Sequence, residues 1–181
     1  MAQNSRGIFT MRGTYDVVDN AVGKTLNVFD YASPDRTRAW KVSRAYLWPV
    51  DIRADTSSNA DGKYTLQAVL STDRRNTPTW AVQLDPMDNR AFGWAIWSGY
   101  ARDNGSSDFI LSHGTDGIVE FVLDPDTYVT KELWIAMSST KEGTTNPVRA
   151  WGYLIVLEEY KITASQSVFQ QVKGMGQDLD D

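Results

Sequence analysis

The chain has 181 residues, which suits a single domain with a substantial hydrophobic core. It contains no cysteine, so disulfides, thiolate metal sites and cysteine nucleophiles are excluded. The net charge of −5 disfavours strong binding to the phosphate backbone of nucleic acids, and no apolar run approaches the ~20 residues that a membrane span needs.

Turn residues divide the chain into strand-like segments that are rich in aromatic and β-branched side chains. In chain order, the predicted strands are Ile8–Val18, Lys24–Tyr31, Arg38–Ile52, Lys63–Thr72, Thr79–Leu84, Ala91–Tyr100, Asp108–Ser112, Ile118–Leu123, Tyr128–Ser138 and Val148–Thr163. Pro49 predicts an edge or a bend, because proline donates no hydrogen bond to a ladder. The last segment exceeds the usual ~5–6 residues, so we expect it to bend or to run the full height of the domain.

Alternation along two segments predicts which side chains share a face. In the fourth segment, the residues on one face are Tyr64, Leu66, Ala68 and Leu70. In the sixth segment, Phe92 and Trp94 fall on one face and Trp97 on the other. Both segments therefore have the two distinct faces of a strand in a layered sheet.

One short helix is predicted near the end of the chain. Ser165 is placed to cap the helix, and the glycines from Gly174 onward end it. The apolar stripe of this helix, at positions i, i+1 and i+4, consists of Val168, Phe169 and Val172.

The predicted fold is all-β: a jelly-roll-like β-sandwich or barrel of about eight to ten antiparallel strands with one short C-terminal helix. We expect an N-terminal arm over residues 1–7, the β-sandwich domain over residues 8–163, and a short helix with a C-terminal tail over residues 164–181.

Few residues could support catalysis. The one histidine, His113, lies in a glycine-containing turn, and no Gly-x-Ser-x-Gly motif surrounds a serine. Acidic pairs in loops, Asp85 with Asp88 and Asp124 with Asp126, leave calcium binding or glycoside hydrolysis as minor alternatives to a turn role. We therefore predict a non-enzymatic protein with no catalytic residues, no cofactor and no metal.

The seven tryptophans are the most informative residues. Trp94 and Trp97 must face opposite sides of a regular strand, and Trp134 must face away from both of its neighbours. Some tryptophans therefore lie off the core face, where they could pack under a loop, anchor a protein interface or stack on a sugar. Our candidates for interface or ligand-stacking residues are Trp94, Trp97 and Trp134.

In general character, the chain resembles the small single jelly-roll capsid proteins of viruses. The resemblance depends on its size, its proline- and glycine-punctuated strands over residues 8–163, and its short terminal segments. It implies a homo-oligomer that tiles a closed shell through symmetric contacts. The chain departs from coat proteins that package RNA or single-stranded DNA, because its first ten residues carry only one basic residue, Arg6. A membrane-containing or double-stranded DNA virion, or a tail, spike or decoration subunit, would fit better.

The resemblance predicts a structural protein of the virion that binds copies of itself, as a trimer, pentamer or shell, and binds other virion proteins. Its terminal segments, residues 1–7 and 174–181, would latch onto neighbouring subunits. A carbohydrate-binding module that uses exposed tryptophans is the main alternative, and a secreted glycosidase or lyase is the third.

Overall fold

The fold is described by a computed structural model for residues 7–18, 21, 23–31, 37–50, 62–74, 87–103, 109–111, 117–141 and 148–175. In chain order the elements are β1 (Ile8–Val18), β2 (Lys24–Asp30), β3 (Arg38–Pro49), β4 (Gly62–Ser71), β5 (Ala91–Asp103), β6 (Phe109–Leu111), β7 (Val119–Glu120), β8 (Val122–Leu123), β9 (Glu132–Lys141), β10 (Val148–Lys161) and α1 (Ala164–Met175). The predicted strand Thr79–Leu84 lies outside the described residues.

The strands form two antiparallel sheets. Sheet A has the order β1-β10-β3-β7, and sheet B has the order β2-β9-β4-β5-β6, with β8 also pairing with β5. The first strand pairs with the last, from Ile8 opposite Glu158 to Val18 opposite Val148. The second strand pairs with the ninth in the same nested way. This nesting is the jelly-roll arrangement, and it confirms the predicted fold class.

One short segment contributes a strand to each sheet. β7 pairs with β3 in sheet A, and β8 pairs with β5 in sheet B. Phe121 lies between them, is buried, and donates its N–H to the carbonyl of Ala45 at 2.9 Å. The predicted strand Ile118–Leu123 is therefore divided at Phe121, because its two halves belong to different sheets.

The hydrophobic core fills the space between the sheets. Sheet B contributes the inward residues of β4 that alternation predicted, Leu66, Ala68 and Leu70. Sheet A contributes Leu47 from β3 and Ile155 from β10, among others. Each fully buried aliphatic side chain of this kind stabilises the fold by ~1.5–3 kcal/mol relative to exposure.

A register shift corrects the prediction for one aromatic residue. Alternation placed Phe92 on the same face as Trp94, but Phe92 is buried in the core between the sheets. The cause is an irregularity in the β4–β5 ladder, where Leu70 pairs with Gly93 but Ser71 pairs with Ala91. The extra residue on β5 breaks strict alternation at this point.

Pro49 is the last residue of β3, where it pairs with Trp151 of β10, and the chain bends at Val50. On its other side β3 pairs with β7 only at Tyr46 and Leu47, so among the described residues no ladder partner lies beside Pro49 there, as an edge or a bend requires.

One strand prediction needs correction. The segment predicted as Tyr128–Ser138 forms a strand only from Glu132, because Val129 makes an isolated bridge to Trp40 instead. The long last strand, β10, runs for 14 residues and carries a register shift between Val156 and Leu157.

The helix α1 is capped by a different residue from the one predicted. Thr163, not Ser165, accepts a hydrogen bond from the Gln166 N–H at 3.2 Å, and the Gln166 side chain accepts one from the Thr163 N–H at 2.9 Å. This reciprocal pair is a capping box. Within the described ranges, no helix has the length and apolar character needed to cross a membrane.

Candidate functional site

Trp97 lies in the interior of the protein. It is only 4% exposed, and its ring meets that of Trp151 edge-on at 5.2 Å between ring centroids. Trp97 is therefore not an interface or stacking residue, because a ring buried between two sheets cannot be reached by a ligand or a neighbouring subunit. Alternation predicted that Trp94 and Trp97 face opposite sides, and the structure identifies which of the two sides is the core.

Trp94 and Trp134 lie on the outer face of sheet B. Val69 pairs with Trp94 on one side and with Ala136 on the other, and Ser71 pairs with Trp134. Trp94 is partly buried against a small second cluster formed by Val69, Ala91 and Ala136. The outer face of sheet B is therefore apolar around Trp94. Both tryptophans are partly exposed, although the indole nitrogen of Trp94 is buried without a hydrogen-bond partner among the described residues.

A carboxylate fixes the position of Trp134. Its indole N–H donates to one oxygen of Glu132 at 2.8 Å, and the ammonium of Lys131 lies 2.8 Å from the other oxygen. The hydrogen bond from Lys131, followed by that from Trp134, lowers the pKa of the Glu132 carboxyl below its ordinary value. Trp134 therefore presents a ring with a fixed orientation rather than a freely rotating one.

The lowered pKa of Glu132 predicts a pH-dependent contribution to stability. This contribution is complete above the ordinary glutamate pKa of ~4.3 and disappears as the pH falls through the lower pKa of the folded state. Glu132→Gln is expected to lower the free energy of unfolding by about 0.5–1 kcal/mol at pH 7. The loss is small because the lysine partner of Glu132 is well exposed. Urea unfolding at a series of pH values below 7 should show this difference shrink as the pH falls below ~4.3. Glu120→Gln, at an exposed position on β7, controls for the loss of one negative charge, and a cost independent of pH would contradict the assignment.

One end of the sandwich carries a cluster of four aromatic rings, which we call the aromatic end. Phe29 on β2 packs against Trp40 on β3 at 5.8 Å, and Phe9 on β1 lies 6.4 Å from the same tryptophan. Tyr31 stacks on Phe29 at 5.9 Å. The rings come from both sheets, and Phe9 remains 49% exposed. This end is therefore closed by aromatic residues that also reach the surface.

The helix α1 begins at the same end of the molecule. The strand that precedes it, β10, pairs with β3 through Glu159 opposite Trp40. On α1, the predicted apolar stripe is exposed: Val168 is 48% exposed, Phe169 68% and Val172 57%. We call these three residues the α1 stripe. An apolar helix face that stays in water is unusual for an isolated subunit and is typical of a surface that binds another protein.

The acidic residues singled out as possible metal ligands have structural partners. The carboxylate of Asp88 accepts hydrogen bonds from the N–H and side chain of Arg90, both at 3.0 Å. Asp124 accepts from the Asp126 N–H at 3.0 Å and from the Thr127 hydroxyl at 2.6 Å. These contacts are those of turns. In the described part of the chain, no group of three or more potential ligands could hold a metal ion, and Asp85 and His113 lie outside those residues.

Sequence reasoning identified the α1 stripe but missed the aromatic end. The rings of Phe9, Phe29 and Trp40 come from three successive strands, and alternation in one strand does not report which strand ends meet. A usable signal was present, because each of these rings is the second or third residue from one end of its predicted strand.

No protein-family model and no curated protein matches the sequence. Among solved structures, the chain is similar to VP1 of Trichodysplasia spinulosa-associated polyomavirus, with a TM-score of 0.54 and 8% identity over 90% of this chain and 98% of that one. The same VP1 in complex with GM1 oligosaccharide matches with a TM-score of 0.50, 8% identity and the same shares of the two chains. Cocksfoot mottle virus matches with a TM-score of 0.40 and 12% identity, over 92% of this chain and 100% of that one.

The two VP1 comparisons establish the fold. The chain has a jelly-roll fold that resembles that of viral capsid proteins, as its sequence predicted. The likeness to polyomavirus VP1 extends over 98% of that chain.

Proposed function

We propose that this protein is a structural subunit of a virion, a capsid protein or a spike or decoration subunit, that self-associates through its β-sandwich and its terminal segments. The observation that carries the proposal is the capsid-type jelly roll bearing an exposed apolar helix stripe. The proposed partners are other copies of the chain, as a trimer, pentamer or shell, and other virion proteins. Its proposed location is the virion, and its proposed role is non-enzymatic.

The mechanism of assembly follows from the burial of the α1 stripe. An amphipathic helix that lays its apolar face into a groove of a neighbouring subunit gains the free energy of removing that face from water. Val168 and Val172 are one helical turn apart, and Phe169 beside them supplies the large anchor. The aromatic end, from which α1 starts, offers a second apolar surface through Phe9.

The test is the mass of the purified protein by light scattering coupled to size exclusion, followed by electron microscopy of any large species. Defined trimers, pentamers or shells would support the proposal. A strict monomer at the highest accessible concentration would contradict it.

Replacing the α1 stripe with serine (V168S/F169S/V172S) is expected to abolish assembly. The three side chains face water in the single subunit, so the fold should lose less than ~1 kcal/mol of stability, whereas the interface loses its anchor. Light scattering measures assembly, and urea unfolding measures the fold. Val122→Ser is the matched control, because Val122 is 72% exposed but lies on β8 rather than on α1. Assembly unchanged in the triple variant would exclude the α1 stripe from the interface.

Glycan binding remains the second candidate, supported by the fixed orientation of Trp134 on a partly exposed face. Sugars stack on the flat face of an immobilised aromatic ring. Titration of a broad glycan panel while tryptophan fluorescence is recorded would test it, with Trp134→Ala as the variant. A flat response of the wild-type protein across the panel would reject this candidate.

A further inference from the structure

β1 lies at the edge of sheet A, and the backbone groups that it directs away from the sheet belong to one set of residues. Glu159 donates its N–H to the Gly7 carbonyl at 2.9 Å, so the backbone of residue 7 points toward β10. The β1–β10 register is continuous from Ile8 to Val18. Since successive residues of a strand point their backbone groups to opposite sides, the even-numbered residues of β1 point away from the sheet.

A side chain from β2 confirms this direction. The ammonium of Lys24 donates to the Asp16 carbonyl at 3.2 Å. This carbonyl belongs to an even-numbered residue and is reached from outside the β1–β10 ladder. Lys24 thus occupies one of the outward acceptors through an exposed hydrogen bond, and its flexible side chain must leave that carbonyl when another strand pairs there.

The side chains of the same residues share the outer, solvent-facing side of sheet A. Five even-numbered positions, Ile8, Thr10, Arg12, Thr14 and Asp16, are exposed. Among them are one cation, Arg12, and one anion, Asp16, four residues apart. In the described part of the chain, neither side chain has an ion-pair partner. Among the described residues, no second strand pairs with this edge, and the edge presents outward backbone groups together with two charges of opposite sign on one face.

We propose that β1 pairs antiparallel with β1 of a second copy, with Thr14 facing Thr14 across the twofold axis. In this register Arg12 faces Asp16 of the partner, and Asp16 faces its Arg12, so each charge meets its opposite. Thr10 faces Val18 in the same way. All of these residues present outward backbone groups, so five facing pairs make ~10 main-chain hydrogen bonds, two for each pair.

The charges select this register over its neighbours. A shift that places Arg12 opposite Arg12 of the partner sets like charges against each other, which destabilises a strand pair. A smaller shift places Arg12 opposite Thr14 and Asp16 opposite Thr10, which forms no charge pair. The occupant of the edge is thus a second copy of this chain, and the result is one continuous sheet of eight strands built from two four-stranded sheets. The inference specifies one contact of a self-assembling subunit and in that respect rests on the proposed function.

Introduced cysteines test the register, because the chain has none of its own. With Thr14 facing Thr14, the two Cα atoms lie ~5.5 Å apart, within the range that a disulfide spans. Thr14→Cys should therefore form a covalent dimer under mild oxidation. Thr10→Cys is the matched control on the same face, and its two copies would be eight residues, or ~27 Å, apart. Cross-linking of the Thr10 variant equal to or greater than that of the Thr14 variant would overturn the register.

Charge reversal tests the pairing in the protein without cysteines. Arg12→Asp or Asp16→Arg alone should weaken the dimer roughly tenfold or more, since two facing pairs become repulsive. The double variant R12D/D16R should restore the wild-type dissociation constant, measured by sedimentation. If single and double variants associate alike and Thr14→Cys does not cross-link, the β1 pairing is wrong. Particles that still form in those variants would leave the proposed function standing, whereas a monomeric wild-type protein would remove both.

Discussion

Replacing Trp151 by alanine is expected to lower the free energy of unfolding by about 3–5 kcal/mol, a large part of the stability of a domain of this size. Trp151 is 1% exposed, and its ring packs edge-on against that of Trp97. Its indole N–H has no hydrogen-bond acceptor among the described residues, so packing alone holds the ring. Alanine would leave a cavity between the sheets that rigid strands from both sides cannot close.

Urea unfolding followed by circular dichroism measures this loss, with an unchanged dependence on urea as evidence that both proteins unfold in the same way. Trp48→Ala is the control. Trp48 lies on β3, which pairs with β10, and its partly exposed side chain covers Gly152 on the outer face of sheet A. We expect a much smaller cost for this control. Equal costs for the two variants would mean that Trp151 is not part of the central packing.

The strands were predictable because their signals are local. β1 begins and ends where the sequence placed it, at Ile8 and Val18, and the inward residues of β4 are those that alternation selected. Their pairing was not predictable. Ile8 pairs with Glu158 across almost the whole chain, and no local pattern carries that information. Jelly-roll closure could only be inferred from the number and spacing of strands.

The candidate site was predictable to a similar extent. The α1 stripe follows from helical spacing, but spacing does not report that Phe169 faces water instead of the sandwich. Alternation likewise separated Trp94 from Trp97 without identifying the core side. The irregularity that turns Phe92 inward arises from the pairing of β5 with β4, a property of two strands that one strand's sequence does not show.

A single methyl group added at Gly99 should also destabilise the core. Gly99 is buried on β5, and a Cβ there would overlap Cη2 of Trp97 and lie 3.1 Å from its Cζ2 and Cζ3 atoms. Glycine-to-alanine substitution in a strand by itself stabilises by ~0.5–1 kcal/mol. We nevertheless expect Gly99→Ala to cost about 1–3 kcal/mol, because Trp97 is confined by Trp151 and cannot move aside without disturbing it.

A second substitution separates this overlap from any other effect of the methyl group. Trp97→Phe removes the ring atoms that the new Cβ would meet, so Gly99→Ala should cost much less in that background than in the wild type. Gly7→Ala is the control for the substitution itself, since its Cβ would meet nothing closer than a Glu159 carboxylate oxygen at 3.9 Å. Equal costs of Gly99→Ala in both backgrounds would show that Trp97 does not lie across Gly99. A reduced cost would establish that the small residue at position 99 is what lets the Trp97–Trp151 pair form between the sheets.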